Sequence, residues 1–181
     1  MNRFWNEYQK AIADDHFFYE RSCIRQTFFP GSETAFLRML REELNKDIYD
    51  DFRQHTCTGI GFHCDIVPLE TTMTVVARLF SLMTEHGYEN YVPSCVTSFG
   101  VFTEMVHMWQ EHPELLEKTR ENLYKACKRE FNIPKNIAHP SDVIYHFRNE
   151  LAEKMKYRLV NRFTGKPLKV VEHIGCHYAK I

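Results

Sequence analysis

The chain has 181 residues, with 23 Lys and Arg against 24 Asp and Glu and a formal net charge of −1. That balance excludes the bulk attraction on which nonspecific nucleic-acid binding and adhesion to acidic membrane surfaces depend. Hydrophobic residues at 44% and aromatic residues at 14% supply apolar area for a core of domain size and for an apolar partner surface.

The opening MNRFWNEYQKAIADDH is charged and lacks the apolar stretch of a secretory signal. No run approaches the roughly 18 apolar residues of a membrane helix. The expected location is the cytoplasm, where thiols stay reduced. There the six cysteines, Cys23, Cys57, Cys64, Cys95, Cys127 and Cys176, read as metal ligands or redox groups if they gather at one place, not as a disulfide frame.

In chain order, Asn2 to Ala13 reads as a short amphipathic helix through Phe4, Trp5, Tyr8 and Ile12. Phe17-Phe18-Tyr19 is a strand leading into Ser22-Cys23 and a Pro30-Gly31 turn. Glu33 to Leu44 has helical spacing through Phe36, Leu37, Leu40 and Leu44, with Ser32 as its expected cap. Asp47 to Phe52 is a second strand, followed by the loop HTCTGIGFHCDIVP. Leu69 to His86 is a helix whose face is Met73, Val76, Ala77, Phe80 and Met83, ended by Gly87. Tyr88 to Pro93 is a third strand before Ser94-Cys95. Helices are expected over Phe99 to Trp109, Glu114 to Phe131 and Ser141 to about Lys156, then a Thr164–Pro167 turn and a fourth strand from Leu168 to Ile174. Strands alternating with helices predict an α/β fold of Rossmann-like βαβ units around a parallel sheet.

On that reading Cys23, Cys57, Cys95 and Cys176 each fall just past a strand, at the carboxyl edge where open α/β sheets bind ligands and cofactors. Cys64 follows in the second loop. Cys127, inside YKACKREF, is expected to be a small buried or half-buried helix residue. Any one cysteine is more often structural than ligating; several at equivalent positions favour thiolate ligation of zinc or an iron–sulfur cluster. There is no C-x-x-C pair of the zinc-finger kind. His55, His63, His173 and His177 flank these cysteines and read as hydrogen-bonding supports before ligands. Gly59 and Gly61 read either as turn glycines or as points where backbone amides approach a cluster.

SCIRQTFFPGSE resembles the Cys-x(3–6)-Pro-Gly element of the cysteine-rich CCG domain. HTCTGIGFHCDIVP stands at its Cys-Cys-Gly loop, SCVTSFG at its Cys-x-x-Cys, and HIGCHYAK resembles the element opening a second repeat. The chain is thereby similar, from about His16 onward, to the B subunit of heterodisulfide reductase. The resemblance implies an N-terminal extension over 1–13, a first repeat over 14–167 and the start of a second, truncated one at 168–181, so the chain is expected to be a fragment of a longer subunit. In that family each repeat supplies five cysteines to a noncubane iron–sulfur cluster at which a disulfide is cleaved. Here Thr56 and Ser98 replace two of the five, leaving Cys23, Cys57 and Cys95.

With Cys64 as a fourth ligand, the implied cofactor of this half is a conventional 4Fe–4S cluster. Cys176 is the lone residue tied to the catalytic noncubane site of the second repeat. Implied partners are a flavin-bearing A-like subunit, a ferredoxin-type C-like subunit and a thiol or disulfide substrate. The alternatives are a cluster-free docking half, or a zinc scaffold built on Cys57, Cys64, Cys95 and a histidine.

Overall fold

The computed structural model describes residues 16–54, 59–155 and 160–169. Its centre is a four-stranded sheet in the order β2-β1-β3-β4 with every pairing parallel. The strands are β1 (His16–Glu20), β2 (Asp47–Tyr49), β3 (Asn90–Pro93) and β4 (Asn136–Ile137). The expected α/β architecture is the observed one.

β1 lies between β2 and β3 and is covered on both faces, which is why it reads as an unbroken aromatic run instead of an alternating one. Phe17 and Tyr19 point into one apolar layer with Phe36, Leu37, Leu40 and Val92. Phe18 points into the other with Met73, Phe80, Tyr91, Phe102 and Trp109. Neighbouring side chains of one strand thus serve opposite layers, as the period of two requires.

The helices between β1 and β2 are α1 (Cys23–Phe28) and α2 (Pro30–Arg38), the latter continuing as a π-helical turn over Met39–Glu43. α3 (Gly59–His63) and α4 (Leu69–Glu85) precede β3. α5 (Val96–Glu111) and α6 (Pro113–Cys127) connect β3 to β4, and α7 (Pro140–His146) and α8 (Arg148–Lys154) follow. The α4 helix matches its expectation, and the positive φ of Gly87, 75°, closes its C-terminal end.

Four expectations need correction. Pro30 and Gly31 form the first turn of α2, not a turn before it; Phe29 is its cap, and Ser32 lies inside the helix with its hydroxyl on the Phe29 carbonyl at 2.8 Å. Proline at the first helical position explains this, since its fixed φ suits a helix start. The helix expected from Ser141 to Lys156 is two helices broken at Phe147, which is 9% exposed. Burying that ring beneath Lys46 Nζ, 4.7 Å from its centroid, redirects the chain. The fourth strand of the sheet is Asn136–Ile137, whose two residues are too few to show periodicity. Leu168 and Lys169 belong to no strand, and residues 170–181, like the expected helix at the start of the chain, lie outside the described residues. Finally, Cys127 is exposed at the last position of α6, where its thiol meets the Leu123 carbonyl at 3.4 Å.

Candidate functional site at the strand ends

From β1 the chain moves outward to β2 on one side, and later to β3 and β4 on the other. The carboxyl ends of β1 and β3 therefore form the topological switch point, where open α/β sheets place their ligand crevice. Glu20 pairs with Pro93 in register, and the Ser94 N–H donates to the Glu20 carbonyl at 3.0 Å. The next residues on the two strands are Arg21-Ser22-Cys23 and Ser94-Cys95. Cys23 opens α1, and Cys95 is the residue before α5. Cys23 is exposed, Cys95 is half-buried, and the Cys95 side chain makes no capping bond to its helix. No disulfide involves Cys23, Cys64, Cys95 or Cys127.

Beneath these thiols lies a buried polar layer. Glu33 of α2 is 2% exposed and accepts two hydrogen bonds on one oxygen, from the Ser22 N–H at 2.7 Å and from the Ser94 hydroxyl at 2.8 Å. The Tyr19 hydroxyl is buried beside Ser94, and its burial pushes the phenol well above its ordinary value. His139 follows β4 and caps α7, with its imidazole against the Phe99 ring at 6.1 Å between centroids. Burial pushes His139 down to about 4, with Asp142 opposing and Arg25 reinforcing the shift, so the ring is neutral near pH 7. Sequence reasoning misses both Glu33 and His139. Glu33 reads in the sequence as an ordinary acid at a helix start, and His139 has no cysteine beside it. The Ser-Cys dipeptide at two strand ends is the available signal.

Cys64 is exposed and directly follows α3. α3 packs against the start of α5. A Cβ on Gly59 would meet Thr97 Cγ2 at 2.5 Å, and one on Gly61 would meet Val67 Cγ2 at 2.7 Å. Both glycines are helical and are required by close packing, which corrects their reading as turn residues. The Cys64 segment is thereby fastened to the helix that follows Cys95. Gly59→Ala should cost about 1–3 kcal/mol, because the new Cβ would overlap Cγ2 and Cβ of Thr97, a short β-branched side chain with few rotamers to turn to; denaturant unfolding measures this, and an unchanged midpoint refutes the contact.

Ser98, the residue in place of a thiol, is 7% exposed in the first turn of α5. Thr56, Cys57, Cys176, His55, His173 and His177 lie outside the described residues, as does the side chain of His63. The described thiols fit an iron–sulfur group in kind and in place, as two of them leave adjacent strands at the switch point. By themselves they do not complete a donor set: among the described residues, no three or more His, Cys, Asp and Glu side chains are gathered as a metal site. Also among the described residues, no helix is long and apolar enough to cross a membrane.

No family model matches the chain. A curated relative, the B subunit of the ferredoxin:CoB-CoM heterodisulfide reductase of Methanosarcina acetivorans, is 27% identical over 173 residues. The alignment covers 95% of this chain and 55% of the relative, so the chain spans about half of the protein it matches. The resemblance carried by the cysteine elements thus has a counterpart over nearly the whole sequence, and the chain is similar over that length to the B subunit of a heterodisulfide reductase.

Proposed function

We propose that the chain is an iron–sulfur redox subunit of a heterodisulfide-reductase-like complex, transferring electrons in disulfide reduction or thiol oxidation. The observation that supports this most is the exit of Cys23 and Cys95 from paired parallel strands at the switch point of the sheet. The named activity of the relative gives that edge a chemistry. Cys23, Cys57, Cys64 and Cys95 would hold a 4Fe–4S cluster, and Cys176 would serve a second, catalytic site. A cluster of this type stores and passes single electrons. The chain itself offers cysteine side chains just past two strand ends and a neutral imidazole nearby, and its buried apolar layers stand behind both. The relative's name marks it as one subunit of a larger enzyme, and the partners would be a flavin-bearing A-like subunit and a ferredoxin-type C-like subunit. The substrate would be a thiol or disulfide, and the place of work the cytoplasm.

The test is iron and acid-labile sulfide content after anaerobic purification, with EPR of the reduced and oxidised forms. About four irons per chain with a cubane signal are expected. Cys64→Ala should then lose its iron or hold it labile; full cluster content in that variant removes Cys64 from the ligand set. Iron near zero in folded, air-free protein would sink the cluster and leave a docking half, and stoichiometric zinc would leave a scaffold.

A further inference from the structure

We propose that Glu33 is a positioning residue that couples the Cys23 loop to the Cys95 loop and presents the two thiols as a pair. Its Oε1 accepts from the Ser22 backbone and the Ser94 side chain, at 2.7 and 2.8 Å. Ser22 and Ser94 directly precede Cys23 and Cys95 and are 4% and 0% exposed. One carboxylate oxygen is thus shared by two loops that lie far apart in sequence. The helix dipole favours an acid in the first turn of α2, but an exposed acid satisfies it equally. The dipole does not account for an acid buried to 2% with both of these bonds directed at cysteine-bearing loops.

Burial makes the coupling stiff. A carboxyl oxygen out of reach of water needs its donors, so displacing either loop strands a buried acceptor. The Ser94 N–H bond to Glu20 is a second tie at the same level, between the strands themselves. Past the Glu20–Pro93 pair, Glu33 carries the tie outward, holding Ser22 on one side and Ser94 on the other. The proposal rests on reading this edge as the thiol site, but it requires no metal.

The test is cross-linking of the metal-free, reduced full chain with a short bismaleimide, with the Cys23–Cys95 product quantified by peptide mass mapping. The wild type should form it, and Glu33→Ala should lower its yield about tenfold, as lost proximity does. Glu33→Gln keeps an acceptor oxygen and should restore the yield. Leu37→Ala, which loosens the same helix by removing core contact, should leave the yield unchanged while lowering stability. The proposal is overturned if the wild type gives no such product, if Glu33→Ala matches it, or if Leu37→Ala loses the product equally. Should Glu33→Ala not fold, Ser94→Ala carries the test by removing one of the two bonds: a lowered yield supports the coupling and a wild-type yield overturns it. Iron content of the untreated protein reads the cluster assignment separately. An iron-free chain with a Glu33-dependent product loses the cluster and keeps the pairing, and an iron-loaded chain with a Glu33-independent product does the reverse.

Discussion

Asp51→Ala should lower the stability of the chain by about 2 kcal/mol, between what an exposed ion pair contributes and what breaking a fully buried one costs. Asp51 is 1% exposed. It accepts from the Arg53 backbone at 2.8 Å, from Arg53 Nε at 3.0 Å, and lies 3.1 Å from His86 Nε2. Those Arg53 bonds hold the Asp51 carboxyl well below the usual carboxylate range, against the opposing effect of burial. Removing it leaves Arg53 with Glu85, at 3.2 Å, and that pair is half open to solvent, which keeps the cost below that of stranding a buried charge. Asp51→Asn keeps an acceptor and should cost less. Urea unfolding at pH 7 is the measurement, with the midpoint moving and the slope constant. A variant as stable as the wild type would show that the network contributes nothing to folding. The sign with pH follows from the depressed carboxyl: its contribution is present above the ordinary carboxylate value and lost as pH falls through the folded one.

The second expected result is a loss of stability at milder acidity. His139 is pushed from 6.5 to about 4 by burial. A depressed imidazole means that the unfolded chain binds the proton first, so stability is full above pH 6.5 and drains away as pH falls toward 4. The shift corresponds to about 3 kcal/mol over that window. His139→Asn keeps a good helix cap without a titrating ring, and its stability should be flatter from pH 6.5 to 4. His146 is also lowered by burial and acts in the same direction, so the difference between wild type and His139→Asn is the decisive quantity. Parallel profiles for the two proteins would sink the assignment. Below pH 4 the Asp51 loss takes over, and the two windows separate by pH alone.

Much of the fold is legible in the sequence because the sheet is buried on both faces. Phe17-Phe18-Tyr19 and Tyr91-Val92 announce strands by composition, and the Met73–Met83 stripe announces α4 by its spacing. What stays hidden has physical causes. β4 is two residues long and carries no pattern. The break at Phe147 depends on a ring finding a distant pocket, which no local rule reports. Cys23 and Cys95 follow β1 and β3 as expected, because cysteines after strands have a fixed address in a parallel sheet. Glu33 is invisible because its value comes from two donors, one 11 and one 61 positions away. His139 becomes recognisable only once β4 has put it at the same edge.

The central place of β1 also governs how the chain is made. A strand synthesised early lies between partners of which one comes far later, and Asn90 reaches across 74 positions to the His16 carbonyl. During translation, at roughly 5–20 residues per second, the segment HFFYE emerges with both edges bare, seconds before its second neighbour exists. Three consecutive aromatic residues with unpaired backbone are a ready template for another nascent chain. Parallel pairing across such loop lengths closes slowly, so yield in a cell should depend on holding factors that shelter this strand until β3 has left the ribosome.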